Sequence, residues 1–161
     1  QPSHYLGDGV ADAALYKADV VHANADEAST LLRWPKGYHC TQLARALCDA
    51  TGAACVVVTD GSNGAAAAVA SQARLASSSL KWPANDLKAV ASLPGPPGVA
   101  ANSNGAGDAF FATFVASTAL HDASLDEALA AANEVAHARV FDLVRRPLEE
   151  VVASLRRSNT T

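Results

Sequence analysis

The sequence predicts an α/β fold, and three observations predict it. Residues 53–61, "AACVVVTDG", form an apolar, β-branched run closed by a turn sequence, the pattern of a strand buried on both faces. Residues 41–52, "TQLARALCDATG", place Leu43, Ala46 and Leu47 on one helical face and finish on Gly52. Strand-type and helix-type segments alternate through the first part of the chain and helices follow, the order expected of a layered α/β sandwich.

Taken in order, residues 18–24, "ADVVHAN", read as a buried strand that stops at the polar Asn24. The helical stretch "ADEASTLLRW" follows and must end before Pro35. The helix over 41–52 takes Thr41 as its cap, and the strand over 53–61 is expected to be central and parallel. Residues 65–71, "AAAAVAS", are assigned to a strand despite their alanines. Residues 72–98 are the least regular part, with "ASSSL", the second of two Trp-Pro breaks (34–35 and 82–83) and "PGPPG"; an edge strand is expected within 87–93. A buried helix fits 108–120. A long helix fits 124–143, with Ser124 and Glu127 spaced as a capping box, and a last one fits 147–157 with Pro147 in its first turn. No internal repeat is visible.

The length of 161 residues fits one domain, and a chain of that size buries roughly 68–70% of its unfolded surface. Half the residues are hydrophobic and 17% are charged, which excludes a disordered chain. Alanine is abundant and aromatics are few, so helices should pack closely on small side chains. A net charge of -4 without a long basic run argues against nucleic acid. The Arg145–Arg146 and Arg156–Arg157 pairs read as a solvated helix face. Cys40, Cys48 and Cys55 form no C-x-x-C pair, so they are expected to be reduced thiols of an intracellular, cytoplasmic protein, with Cys55 in the core. No run of 18 apolar residues occurs, which argues against a membrane helix. The start "QPSHYLGDGV" lacks a signal layout and an initiator Met, so the chain is expected to begin inside a longer product or after processing. The five histidines show no H-x-x-x-H or H-x-H spacing, and metal ligation by them is not expected.

The chemistry concentrates in "NSNGAGDAFF", residues 102–111. Gly105 and Gly107 flank Ala106 just before a helix. Such a turn can aim unsatisfied N–H groups and the positive end of a helix dipole at an anion. Asp108 would sit beside that anion, where it could accept a proton from an attacking hydroxyl. The turn alone equally suits an aspartate that only complements the dipole. A dinucleotide G-x-G-x-x-G would need glycine at Phe110, which removes a nucleotide-dependent oxidoreductase, and the G-K-[ST] of a P-loop is absent.

Two further segments add weight. Thr59-x-Gly61-x-x-Gly64 and Asn24-x-x-Glu27 each close a strand, and open α/β sheets bind ligands at the carboxyl ends of strands. Asn24 offers an amide to a phosphate, and Glu27 a carboxylate to magnesium or its water. Taken singly, N-x-x-E is usually a helix cap; the order of the three motifs is the specific signal.

In that order, N-x-x-E, T-x-G-x-x-G and G-A-G-D-x-F resemble the C-terminal half of the ribokinase-like (pfkB) carbohydrate kinase family, over roughly residues 15 to 143. The resemblance implies the C-terminal portion of a three-layer α/β/α sandwich, with 1–161 a single partial domain carrying an irregular insertion at about 72–98. It implies Asp108 as catalytic base and the backbone of Gly105, Ala106 and Gly107 as anion hole. Asn24 and Glu27 would support magnesium and the phosphates, with Glu27 the metal residue. Thr59, Gly61 and Gly64 would line the ATP site, and Asn133 would lie near the adenine. The implied reaction is ATP-dependent phosphorylation of a hydroxyl on a sugar, sugar phosphate or nucleoside. The family's D-T, linked to a monovalent-cation loop, is replaced by Asn102–Ser103, so potassium stays an open cofactor. Nothing matches the family's sugar-binding residues, early di-glycine or lid. An N-terminal half or a partner protein is therefore expected to complete the site, and the chain alone is expected to be inactive. The rival reading is a non-catalytic kinase-like scaffold or assembly subunit.

Overall fold

The computed structural model describes residues 18–72, 78, 80–97, 101–141 and 147–158; the N-terminal decapeptide with His4 and the Arg145–Arg146 pair lie outside the described residues. The chain divides into two compact units, one of residues up to 60 with 65–89, the other of residues 61–64 with those from 90 onward.

The first unit carries the strands and two helices. Its elements are β1 (Val20–Asn24), α1 (Ala25–Leu32), α2 (Cys40–Thr51), β2 (Cys55–Thr59), β3 (Ala65–Val69) and β4 (Leu87–Val90), whose last residue belongs to the second unit. The sheet order is β1-β2-β3-β4. β1 and β2 are parallel, with Asn24 opposite Thr59, and the long connection such a pair requires is supplied by α1 and α2. β2 and β3 are antiparallel, with Thr59 opposite Ala65. β2 is thus internal and parallel to β1 as expected, but the sheet is mixed, because the short loop after Thr59 can only return the chain antiparallel.

Burial explains β3. Alanine is a poor strand former, yet all five residues of β3 are buried, and Ala66 and Ala68 share a core cluster with Leu43, Ala44, Leu47 and Cys48 of α2. Methyl side chains let α2 close on the sheet, and that packing overrides propensity. The buried face of α2 is Cys40, Leu43, Ala44, Leu47 and Cys48; Ala46 is only half-buried. The cap of α2 is His39, not Thr41: Gln42 Oε1 accepts from the His39 N–H at 3.2 Å. The helix starts two residues earlier than a Thr41 cap implies, with Cys40 drawn into the core, 1% exposed. It stops at Gly52, whose φ is 76°. Arg45 reaches from α2 to the carbonyls of Val69, Asn85 and Asp86 at 2.9, 2.7 and 2.9 Å, pinning the β3–β4 connection. All three cysteines are free and buried. Burial, then the neighbouring Cys48, pushes the Cys55 thiol far up, so it stays a neutral core group.

The second unit is helical: α3 (Ala106–His121), α4 (Leu125–Val140) and α5 (Leu148–Ser158) pack on one another. The helix expected to be buried after the glycine turn is buried on one face only. α3 buries Phe110, Thr113, Phe114 and Ser117, whereas Val115 and Leu120 are exposed. α4 has the expected capping box: Ser124 N–H donates to Glu127 Oε2 at 2.8 Å, and Glu127 N–H to Ser124 Oγ at 3.3 Å. α5 seats Val151 and Val152 against Ala131. Arg156 is more than the solvated residue expected. Its Nη2 donates to the His121 carbonyl at 2.7 Å and its Nε meets Glu127 Oε1 at 3.3 Å, so it closes the end of α3. Burial raises the Glu127 pKa, but the Ser124 hydrogen bonds and Arg156 more than offset this and hold it below the ordinary glutamate value. Among the described residues no helix is long and apolar enough to cross a membrane.

Candidate active site

In the second unit the glycine turn starts α3. Gly105 is the N-cap in the left-handed region, φ 73°, and offers no side-chain cap. The turn is set by Asn102, whose Oδ1 accepts from Asn104 N–H at 3.1 Å, and by Asn102 N–H donating to Val140 O at 2.8 Å. The Ala106 N–H donates to Ser103 O at 3.1 Å. Among the described residues the N–H groups of Gly107 and Asp108 have no such acceptor, so these two carry the helix-start potential outward.

Asp108 is exposed and is the third residue of α3. Acids at that position behave differently in two other helices. Glu27 in α1 and Glu127 in α4 each reach back to the N-cap N–H. Asp108 is one methylene shorter and faces a glycine cap, and among the described residues its carboxylate has no hydrogen-bond or ion-pair partner. It is left available for other chemistry.

In the first unit, Asn24 and Thr59 are register partners at the carboxyl ends of the parallel strands β1 and β2. Asn24 Oδ1 accepts from Glu27 N–H at 2.8 Å, and Glu27 Oε2 accepts from Asn24 N–H at 3.0 Å. The pair is therefore a helix cap, whatever else it does. Thr59 Oγ1 lies 3.2 Å from His22 Nε2. In the second unit, Gly61 (φ 51°) opens a 3-10 turn and Gly64 (φ 96°) closes it, its N–H donating to Gly61 O at 3.2 Å. A Cβ on Gly64 would overlap the Val90 carbonyl oxygen, so glycine is needed there for packing alone.

Asn133 donates to Ala91 O at 2.9 Å. His137, one turn on, meets Pro94 O at 3.0 Å, and the Phe141 ring lies where a Cβ on Gly95 would stand. One face of α4 and its C-cap Phe141, spaced i, i+4, i+8, thus strap down residues 91–95, an engagement of Asn133 that its position in the sequence did not signal. Arg139 was also missed; its guanidinium lies against Gly105.

Among the described residues no three His, Cys, Asp or Glu side chains cluster for a metal. Glu27 keeps Oε1 beyond its capping bond. A single carboxylate is the protein donor that Mg2+ takes when phosphates and water fill the rest of its shell, so the residues fit that ion and not a protein-only cage.

Solved structures share this fold. The chain superimposes on phosphofructokinase-2 from Escherichia coli in complex with fructose-6-phosphate with a TM-score of 0.62 and 23% identity, covering 93% of this chain and 44% of that one. It superimposes on Arabidopsis thaliana ribokinase complexed with ribose and ATP with a TM-score of 0.60 and 24% identity, covering 85% of this chain and 40% of that one. At such identities the likeness establishes the ribokinase-like fold, of which this chain spans less than half the length. No match was found among curated protein sequences. Residues 6–143 match the model of the pfkB family carbohydrate kinases, and the chain belongs to that family.

Proposed function

We propose that this chain is the ATP-binding and catalytic portion of a kinase that phosphorylates a hydroxyl of a sugar, sugar phosphate or nucleoside. The observation that carries the reading is Asp108: a carboxylate left out of helix capping, beside two N–H groups that have no acceptor among the described residues. In this reading Asp108 accepts the proton of the attacking hydroxyl. The turn of Gly105, Ala106 and Gly107 holds the transferring phosphoryl, chiefly through the N–H groups of Gly107 and Asp108. Bound Mg2+ would supply charge neutralisation at the nucleotide phosphates, with Glu27 and Asn24 on its side. Thr59, Gly61 and Gly64 line the nucleotide, and Asn133 holds the 91–95 strap near the base. Residues that bind the acceptor come from another segment or a partner, and the 161 residues alone transfer no phosphate at enzyme rates.

The test is phosphoryl transfer from ATP with magnesium to a panel of sugars, sugar phosphates and nucleosides, in the complete protein. Asp108→Asn should lower turnover by roughly 10²–10⁴ with ATP affinity retained. Because no hydrogen bond among the described residues holds Asp108, the stability loss should stay under about 1 kcal/mol. Full turnover in that variant removes Asp108 from the mechanism. ATP affinity without transfer to any acceptor favours the scaffold reading.

A further inference from the structure

Arg139 stands in the last turn of α4. Its Nε and Nη2 lie 3.7 and 3.9 Å from the position a Cβ would take on Gly105, so the guanidinium covers the face that this glycine leaves open. The juxtaposition is fixed by backbone, since Asn102 N–H donates to Val140 O, one residue beyond Arg139, at 2.8 Å. Arg139 is half-buried, yet among the described residues it makes no hydrogen bond or ion pair. Asp108 is the one acid in residues 101–111, and the two do not pair.

A guanidinium stays charged at any physiological pH. Half-burial costs the guanidinium part of its hydration, and among the described residues no acceptor returns it. The same turn adds to the imbalance: among the described residues the N–H groups of Gly107 and Asp108 also lack acceptors, and the N-terminal end of α3 is positive. Fixed cation and free donors meet at one turn.

We propose that Arg139 is a phosphate-binding residue of this site, its guanidinium holding oxygens of the nucleotide's β- and γ-phosphates beside the donors that start α3. The assignment rests on the kinase reading above and adds to it a side-chain cation. The planar fork of arginine suits two phosphate oxygens at once, whereas backbone N–H groups offer one bond each. The plain alternative is a cation that only complements the C-terminal dipole of α4. It predicts a change in stability and no dependence on the number of phosphates.

The test is calorimetric titration of the complete protein and of Arg139→Gln with ATP and ADP in magnesium and with AMP, alongside melting temperatures. Expected is a roughly ten- to hundredfold loss for ATP and ADP, the worth of charge-assisted hydrogen bonds. AMP affinity should be unchanged, and Arg139→Lys should recover part of the loss. If Arg139→Gln does not fold, Arg139→Met, which keeps the aliphatic stem, gives the same readout. Unchanged ATP affinity in a folded variant overturns the assignment and leaves the kinase reading standing. So does an equal loss for all three nucleotides. A parent protein with no ATP affinity overturns the kinase reading itself, and Arg139 falls with it.

Discussion

Gly64 and Gly61 belong to one motif but face opposite constraints, and alanine at each separates packing from nucleotide binding. At Gly64, φ is 96°, and a Cβ would overlap the Val90 carbonyl oxygen with Ala91 Cα and Val90 C at 3.1 Å. The left-handed backbone alone costs an L-residue about 1–2 kcal/mol. The overlap is with backbone, which cannot rotate away, so the strand must shift at a further cost of about 1–3 kcal/mol. Gly64→Ala should therefore lose about 3 kcal/mol, more than a hundredfold in the folding equilibrium. At Gly61, φ is 51° and nothing lies within 4 Å of a Cβ, so only the backbone cost of about 1 kcal/mol applies. Urea unfolding measures both through the midpoint at constant m. Gly64→Ala costing no more than Gly61→Ala would refute the close approach to Val90. The folded Gly61→Ala then serves as the probe of the nucleotide loop, and lowered ATP affinity in it is expected.

Glu27→Gln retains the capping geometry, because glutamine also reaches back to an N-cap N–H, but drops the charge. Unfolding should be unchanged while the magnesium requirement for phosphoryl transfer rises; an unaltered magnesium titration returns Glu27 to capping alone. Glu127 has a folded pKa below its unfolded value, so the stability it contributes is present above the ordinary glutamate pKa and is lost as pH falls through the folded value. Melting temperatures between about pH 3 and pH 7 should show parent and Glu127→Gln converging in acid and separating toward neutrality. A pH-independent gap would remove the linkage.

Local signals located most elements, since each rests on chemistry within a few residues. The β-branched run of β2, the Ser124–Glu127 box and the Gly52 stop need only their neighbours to act. The cap of α2 was misplaced because burial of Cys40, not the hydroxyl of Thr41, decides where that helix begins. The mixed character of the sheet was also hidden, because strand direction depends on how the chain returns after Thr59. Arg156 looked like a surface cation, since its partners His121 and Glu127 lie 35 and 29 residues away.

The candidate site divides along the same line. Sequence by itself determined the family, through three motifs in order, and singled out Asp108 after the glycine turn. It determined the turn as well, because glycines at left-handed positions act on their own backbone. Tertiary structure alone decided which of these groups are engaged and which are free. It tied Asn133 to Ala91, 42 residues away in the chain. It left the Asp108 carboxylate and the Arg139 guanidinium without partners among the described residues. Gly105 and Arg139 are far apart in the chain, and only the packing of α4 against the start of α3 brings a cation to that turn. Residue type fixes what a group can bond to, but whether a bond remains to be made is set by neighbours distant in sequence.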